Sequence, residues 1–239
     1  PSSRFWFCLN GVAWYLSVQA FLYAIFPPLL AVLKKADVRR LRCIAAVIFC
    51  AQCLASFVFW KAGLSGKAAF YLTYLCPVFR AGDFTISCCM GCLYHSRKQE
   101  SGLPGGAFSL LELAAVLLAS GCLFIAARQV GVLGAVAFRY NVLFTPSAVL
   151  LVWLLAVGKG IISRLLSAKP FLWLAGLSPY GFLIHQVLIR YMEWTADKFS
   201  FTVHPVVWTL TVYLLTLCLS SFYKALERRV RQRHTQTGA

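Results

Sequence analysis

Between Phe5 and Leu33 the chain runs 29 residues without an Asp, Glu, Lys or Arg. As a helix that run rises about 43 Å, more than the roughly 30 Å of hydrocarbon in a bilayer. Cys43–Trp60, Tyr140–Gly158, Phe171–Ile189 and Pro205–Tyr223 are likewise free of those residues over 18 or 19 positions. Two further candidate spans carry isolated charges. Ala107–Ala127 holds Glu112 alone, and a broken stretch across Ala68–Tyr94 holds Arg80 and Asp83. Only 13% of the residues are charged, about half the share in soluble domains. The expected fold is all-α. It is a polytopic transmembrane helix bundle with about seven spanning helices, in one domain over residues 1–239.

A net charge of +16 invites a nucleic-acid reading, but its distribution excludes that class. Let the spans alternate and place the tail from Lys224 in the cytoplasm. Lys34, Lys35, Arg39, Arg40, Arg42, Arg97, Lys98, Lys159, Arg164, Lys169, Lys224, Arg228, Arg229, Arg231 and Arg233 then all fall inside, which is 15 of the 23 basic residues. This is the positive-inside pattern, in one phase along seven helices, and it places the N-terminus of the chain outside. Basic rims of this kind suit anionic lipid headgroups, so membrane lipids are expected partners. No aromatic-interleaved basic stripe points to DNA or RNA.

Cys50 and Cys53, and Cys89 and Cys92, have the CxxC spacing of zinc sites. Both pairs lie inside apolar spans, where a thiolate is costly. They read as small packing residues, with no metal and no disulfide framework expected.

A polar side chain in hydrocarbon is expensive and marks a candidate site. Asn10, Trp14, Ser17 and Phe21 follow one stripe of the first span; Tyr15, Gln19 and Tyr23 follow its neighbour at four-residue spacing. Pro77 suits the start of a helix, which puts Arg80 and Asp83 one turn apart on it. Ser178, Gly181 and His185 share a face of the sixth span, with Gln186 beside them. Each has a plainer reading. Arg80 and Asp83 can neutralise each other, His185 can be a hydrogen-bonded packing residue and Gln19 a bridge between helices. Ser178 can bond its own helix backbone and Glu112 can sit at a headgroup boundary. Neither a Ser–His–Asp triad nor a phosphate-binding glycine loop is legible.

Three segments resemble acyltransferase family 3, the multi-pass membrane O-acyltransferases. Asn10 to Pro27, NGVAWYLSVQAFLYAIFP, is similar to the family's N-x-x-x-W-S-L-S-V-E-x-x-F-Y-L-x-F-P helix. Cys76 to Tyr94, CPVFRAGDFTISCCMGCLY, is similar to P-x-F-R-x-x-[DE]-F-x-x-G, matched at Pro77, Phe79, Arg80, Asp83 and Phe84. Lys169 to Gln186, KPFLWLAGLSPYGFLIHQ, looks like K-P-x-x-x-L-G-x-[IL]-S-[FY]-x-x-[FY]-L-I-H-Q, matched at Lys169, Pro170, Gly176, Ser178, Leu183, Ile184, His185 and Gln186. The order of the three is the family's, and they cover nearly the whole chain.

The resemblance implies transfer of an acyl group, most often acetyl, from acetyl-CoA or another acyl-CoA to a hydroxyl of a cell-envelope or extracellular carbohydrate. No cofactor would be bound, and the setting would be the plasma membrane. It implies catalytic positions at Gln19, Arg80, Asp83 and His185 and substrate-binding positions at Asn10, Trp14, Ser17, Tyr23, Ser178 and Gln186. Two departures stand out. Gln19 occupies a position where the family has Glu, and Gln can hold neither proton nor charge. The family's Arg/His pair, with His three turns after Arg on its first helix, has no counterpart in this sequence. The family usually has about ten helices, so the resemblance implies about three more before Pro1, and this chain alone is expected not to acylate. The rival expectations are a catalytically inactive family member and a transporter or flippase, although no inverted repeat is visible.

Overall fold

The computed structural model describes residues 13–96, 104–200 and 204–237; Asn10, Arg97 and Lys98 lie outside them. The described residues form helices and connecting turns, with no strand among them. They divide into two compact units, one of the described residues between 15 and 166 and the other of those between 167 and 237 together with 13 and 14.

The larger unit contains α1 (Ala13–Leu33), α2 (Val38–Lys61), α3 (Gly66–Phe70), α4 (Pro77–Ser96), α5 (Gly105–Arg128), α6 (Val136–Arg139), α7 (Thr145–Val157) and α8 (Ile161–Leu166). A π-helical turn, Tyr71–Leu75, links α3 to α4. The smaller unit contains α9 (Lys169–Ala175), α10 (Ser178–Phe199) and α11 (Pro205–Thr237). Every expected span therefore contains a helix, and the all-α helical bundle is the observed fold.

Among the described residues α1, α2, α5 and α11 are each long and apolar enough to cross a membrane, and α9 with α10 meets the same test as one segment bent by 59°, so four or five helices rather than about seven meet it. The stretch across Ala68–Tyr94 is indeed broken, and α4 begins at Pro77, where the missing amide hydrogen costs nothing. Tyr140–Gly158 is helical only from Thr145, because Tyr140–Phe144 are used in a turn. α1 continues through Pro27 and Pro28, which leave the carbonyls of Tyr23 and Ala24 without their helical donors.

α5 shows why these helices belong in lipid. Phe108, Glu112, Ala115 and Cys122 form its buried stripe, while Leu110, Leu113, Leu117 and Phe124 are 49–70% exposed. The charge is inside and the leucines are outside, the reverse of a water-facing helix.

Small residues let the helices close up. Leu33, Leu41, Cys89 and Leu93 form one core cluster, with Cys88 and Cys92 packed against it; Cys53 packs on a second, around Ala137, Phe138 and Val142. A Cβ added at Gly181 would stand 3.6 Å from Ser220 Oγ and from Thr216 Cγ2, so α10 and α11 approach closely there.

Glu112 is fully buried rather than at a headgroup boundary. Its Oε2 accepts from the backbone N–H of Ile162 at 2.9 Å and of Ser163 at 3.3 Å. The carboxylate thus caps the first turn of α8, whose amide hydrogens have no partner within that helix. A Cβ on Gly160 would overlap the carboxylate, so a glycine there is what lets α5 and the α8 turn meet.

Candidate functional site

The polar residues of α4 are organised by the break before it. Because Tyr71–Leu75 is a π-helical turn, the Tyr74 carbonyl is left outside the regular α-helical ladder. Arg80 reaches back to it, Nε donating to Tyr74 O at 2.8 Å with the guanidinium 4.8 Å from the Tyr74 ring centre. The same guanidinium donates to Asp83 Oδ2 at 3.1 Å and to the Tyr140 carbonyl at 3.4 Å. One arginine therefore ties together the broken helix, the carboxylate a turn along and the turn before α7. Phe70, Tyr74 and Tyr140 pack ring to ring around it, at centroid separations of 4.9–5.4 Å.

Asp83 has a second partner. Gln52 on α2 donates from Nε2 to Asp83 Oδ1 at 3.2 Å and to the Phe79 carbonyl at 3.0 Å. Gly82 is what admits it: a Cβ there would lie 2.6 Å from Gln52 Nε2. The carboxylate is thus held from both sides, by a guanidinium and by an amide. The side chains of Arg80 and Asp83 remain 20% and 26% exposed.

That exposure opens into a groove between α4 and α7 with a cavity volume of about 410 Å³. Arg80, Asp83, Tyr140, Asn141 and Thr145 line one end. From there Met90, Gly91, Val149, Val152 and Trp153 form largely apolar walls as far as Tyr94 and Ala156. Tyr94 donates to the Ala156 carbonyl at 2.8 Å, and its ring meets Trp153 edge-on, so this pair forms the rim of the far end. Asn141 is 3% exposed. Its Oδ1 accepts from Thr145 Oγ1 at 3.1 Å, and its Nδ2 has no hydrogen-bond partner.

The other residues singled out from the sequence are placed as follows. Gln19 donates to the Tyr23 hydroxyl at 2.5 Å, so the four-residue stripe on α1 is a bonded pair; Tyr23 is 62% exposed. Trp14 is half-buried, Ser17 is exposed, and neither lines the groove. On α10, His185 Nδ1 lies 3.0 Å from the Gly181 carbonyl of its own helix, and its ring packs on Phe182. Ser178 is exposed in the first turn and Gln186 is half-buried. The Tyr180 hydroxyl donates to Glu227 on α11. Arg80 and Asp83 are therefore brought together with each other, with Gln52 and with Asn141. Gln19 and Tyr23 join only each other, and Ser178, His185 and Gln186 belong to the other unit.

The sequence reading passed over Gln52, Asn141 and Tyr140. Gln52 and Asn141 carried a usable signal, each being an uncharged polar residue set in an apolar span. Tyr140 carried none, since it contributes a backbone carbonyl.

No protein-family model, no curated protein and no solved structure matches this chain.

Proposed function

We propose that this chain belongs to a membrane O-acyltransferase that moves an acyl group from a cytoplasmic acyl-CoA to a hydroxyl of an envelope or extracellular carbohydrate. One observation carries the reading. The segment resembling the family's P-x-F-R-x-x-[DE]-F motif supplies Arg80 and Asp83 to the polar end of the α4–α7 groove. In the reaction the hydroxyl oxygen attacks the thioester carbonyl carbon, a C–O bond forms and the C–S bond breaks. The hydroxyl proton goes to a base, and the thiolate of coenzyme A leaves and takes up a proton. Asp83 lines the groove and is the group there able to accept that proton. Arg80 holds the carboxylate in place and offers positive charge to the oxyanion as it develops. The setting is the plasma membrane, with the start of α1 outside and the end of α11 in the cytoplasm, as the basic loops require.

The broken helix before α4 also suits a transporter, which would bind its ligand at such a break. A transporter leaves the thioester intact, so one assay separates the two. Membranes in which the chain is co-expressed with an N-terminal segment supplying the Arg/His helix that the resemblance implies are expected to hydrolyse radiolabelled acetyl-CoA above empty-vector membranes, with water standing in for the carbohydrate hydroxyl. Asp83→Asn is expected to lower that rate about 100-fold or more. Hydrolysis equal to the empty vector, or unchanged in Asp83→Asn, overturns the proposal.

A further inference from the structure

The groove has a direction. Asp83 and Tyr94 are eleven residues apart on α4, and Thr145 and Ala156 are eleven apart on α7. At 1.5 Å per residue the groove is about 16 Å long. Its inner end carries Arg80, Asp83 and the buried Asn141; its walls are apolar; and its outer end is formed by Tyr94, Trp153 and Ala156. Lys159 follows Ala156 by three residues, and the Arg164 guanidinium bonds the Lys159 carbonyl at 3.2 Å. On the other side His95 follows Tyr94, and it lines a second cavity together with Lys34. A small rounded ligand would leave most of this length empty. A lipid chain would fill the walls but would have no use for polar groups at the inner end.

We infer that the groove is the channel for the pantetheine arm of an acyl-CoA, and that Asn141 is the residue that receives the thioester carbonyl. This rests on the acyltransferase reading and adds to it the donor's path and a substrate-binding residue. The phosphates of the donor lie beyond Tyr94 and Ala156, on the side of Lys159 and Arg164. The arm runs between α4 and α7, past Gly91 and Ala148, and the carbonyl arrives beside Arg80 and Asp83. A Cβ at Gly91 would meet nothing within 4 Å, so the wall there has been left open rather than filled. Asn141 Nδ2 lacks a partner inside the protein, and a buried donor in that state is costly. The terminal amide torsion is soft, so a small turn brings Nδ2 onto a carbonyl oxygen in the groove. There it donates to the ground-state carbonyl and, more strongly, to the oxyanion that follows.

The test uses the full chain in nanodiscs and two uncleavable probes. Acetonyl-CoA keeps a carbonyl; ethyl-CoA is a thioether without one. The wild-type chain is expected to bind both, with acetonyl-CoA about two- to tenfold tighter, the range of one net hydrogen bond. Asn141→Leu is expected to bring the ratio to about one while ethyl-CoA binding holds. Gly91→Leu is expected to weaken both probes by roughly tenfold or more through loss of the arm's space. Ala148→Leu narrows the opposite wall and gives the same readout if the first variant does not fold.

Failure of both probes to bind, a ratio that survives Asn141→Leu, or groove-filling variants that bind normally would each overturn the inference. So would labelling of the groove by a photoactivatable phospholipid that acetonyl-CoA does not displace. Thioester hydrolysis with groove-independent binding would sink this inference and leave the acyltransferase reading standing. Groove-dependent binding without hydrolysis would do the reverse.

Discussion

The Arg80–Asp83 pair gives the sharpest energetic prediction, because its partners make the two single deletions unequal. Remove Asp83, and Arg80 keeps the Tyr74 carbonyl at 2.8 Å, the Tyr140 carbonyl at 3.4 Å and the Tyr74 ring. The losses are the charge-assisted bond from Arg80, about 1.5–3 kcal/mol, and the weaker bond from Gln52, whose Nε2 keeps the Phe79 carbonyl. Remove Arg80, and the carboxylate keeps only uncharged partners, the Gln52 amide at 3.2 Å and the Thr145 hydroxyl, in a site where about a quarter of it is exposed. That stranded charge costs about 3–5 kcal/mol. Arg80→Ala should therefore be the worse variant. The double variant Arg80→Ala with Asp83→Ala has no buried charge left, so its loss should fall about 1–2 kcal/mol short of the sum of the singles. Reversible unfolding in mixed dodecyl maltoside and dodecyl sulfate micelles, followed by tryptophan fluorescence, measures all three. Losses that add to within about 0.5 kcal/mol would show that the residues act separately. An Asp83→Ala loss exceeding that of Arg80→Ala would show that the anchoring of the guanidinium on Tyr74 and Tyr140 is energetically empty.

Three further outcomes are expected. In a cysteine-free background, Ser200→Cys should react with an impermeant thiol reagent in intact cells and Thr235→Cys should not; the opposite pattern would invert the orientation. Glu112→Ala should cost about 1.5–3 kcal/mol and speed proteolysis within residues 159–166, with Glu112→Gln milder because an amide oxygen still accepts; equal protection in wild type and Glu112→Ala would mean that the cap contributes nothing. His185→Ala should cost about 1 kcal/mol or less, since its ring bonds a carbonyl of its own helix, and should leave thioester hydrolysis measurable. If that substitution abolishes hydrolysis instead, His185 is the base and Asp83 is not.

The membrane character and the all-helical fold were written in the sequence, because both follow from local quantities. Twenty apolar residues in a row must satisfy their own backbone in lipid, and only a helix does that within one segment. Pro77 as a helix start and the pairing of Arg80 with Asp83 were legible for the same reason: they depend on neighbours within one turn. The Gln19–Tyr23 bond on α1 is another contact of that kind. Partners 27 to 60 residues away were not legible. Nothing in the order of residues says that Gln52 turns toward Phe79 and Asp83, or that the Tyr140 carbonyl meets Arg80. Glu112 makes the same point: alone in an apolar run it looked peripheral, yet it is fully buried and caps α8, fifty residues on. Such contacts depend on how helices pack, and that is fixed by many small fits, such as Gly82 under Gln52 and Gly160 under Glu112, summed over the bundle. The sequence by itself thus determined that the chain lies in a membrane and which local pairs form. Only the tertiary structure decided that α4 and α7 stand apart far enough to leave a groove, with Arg80, Asp83 and Asn141 at one end of it.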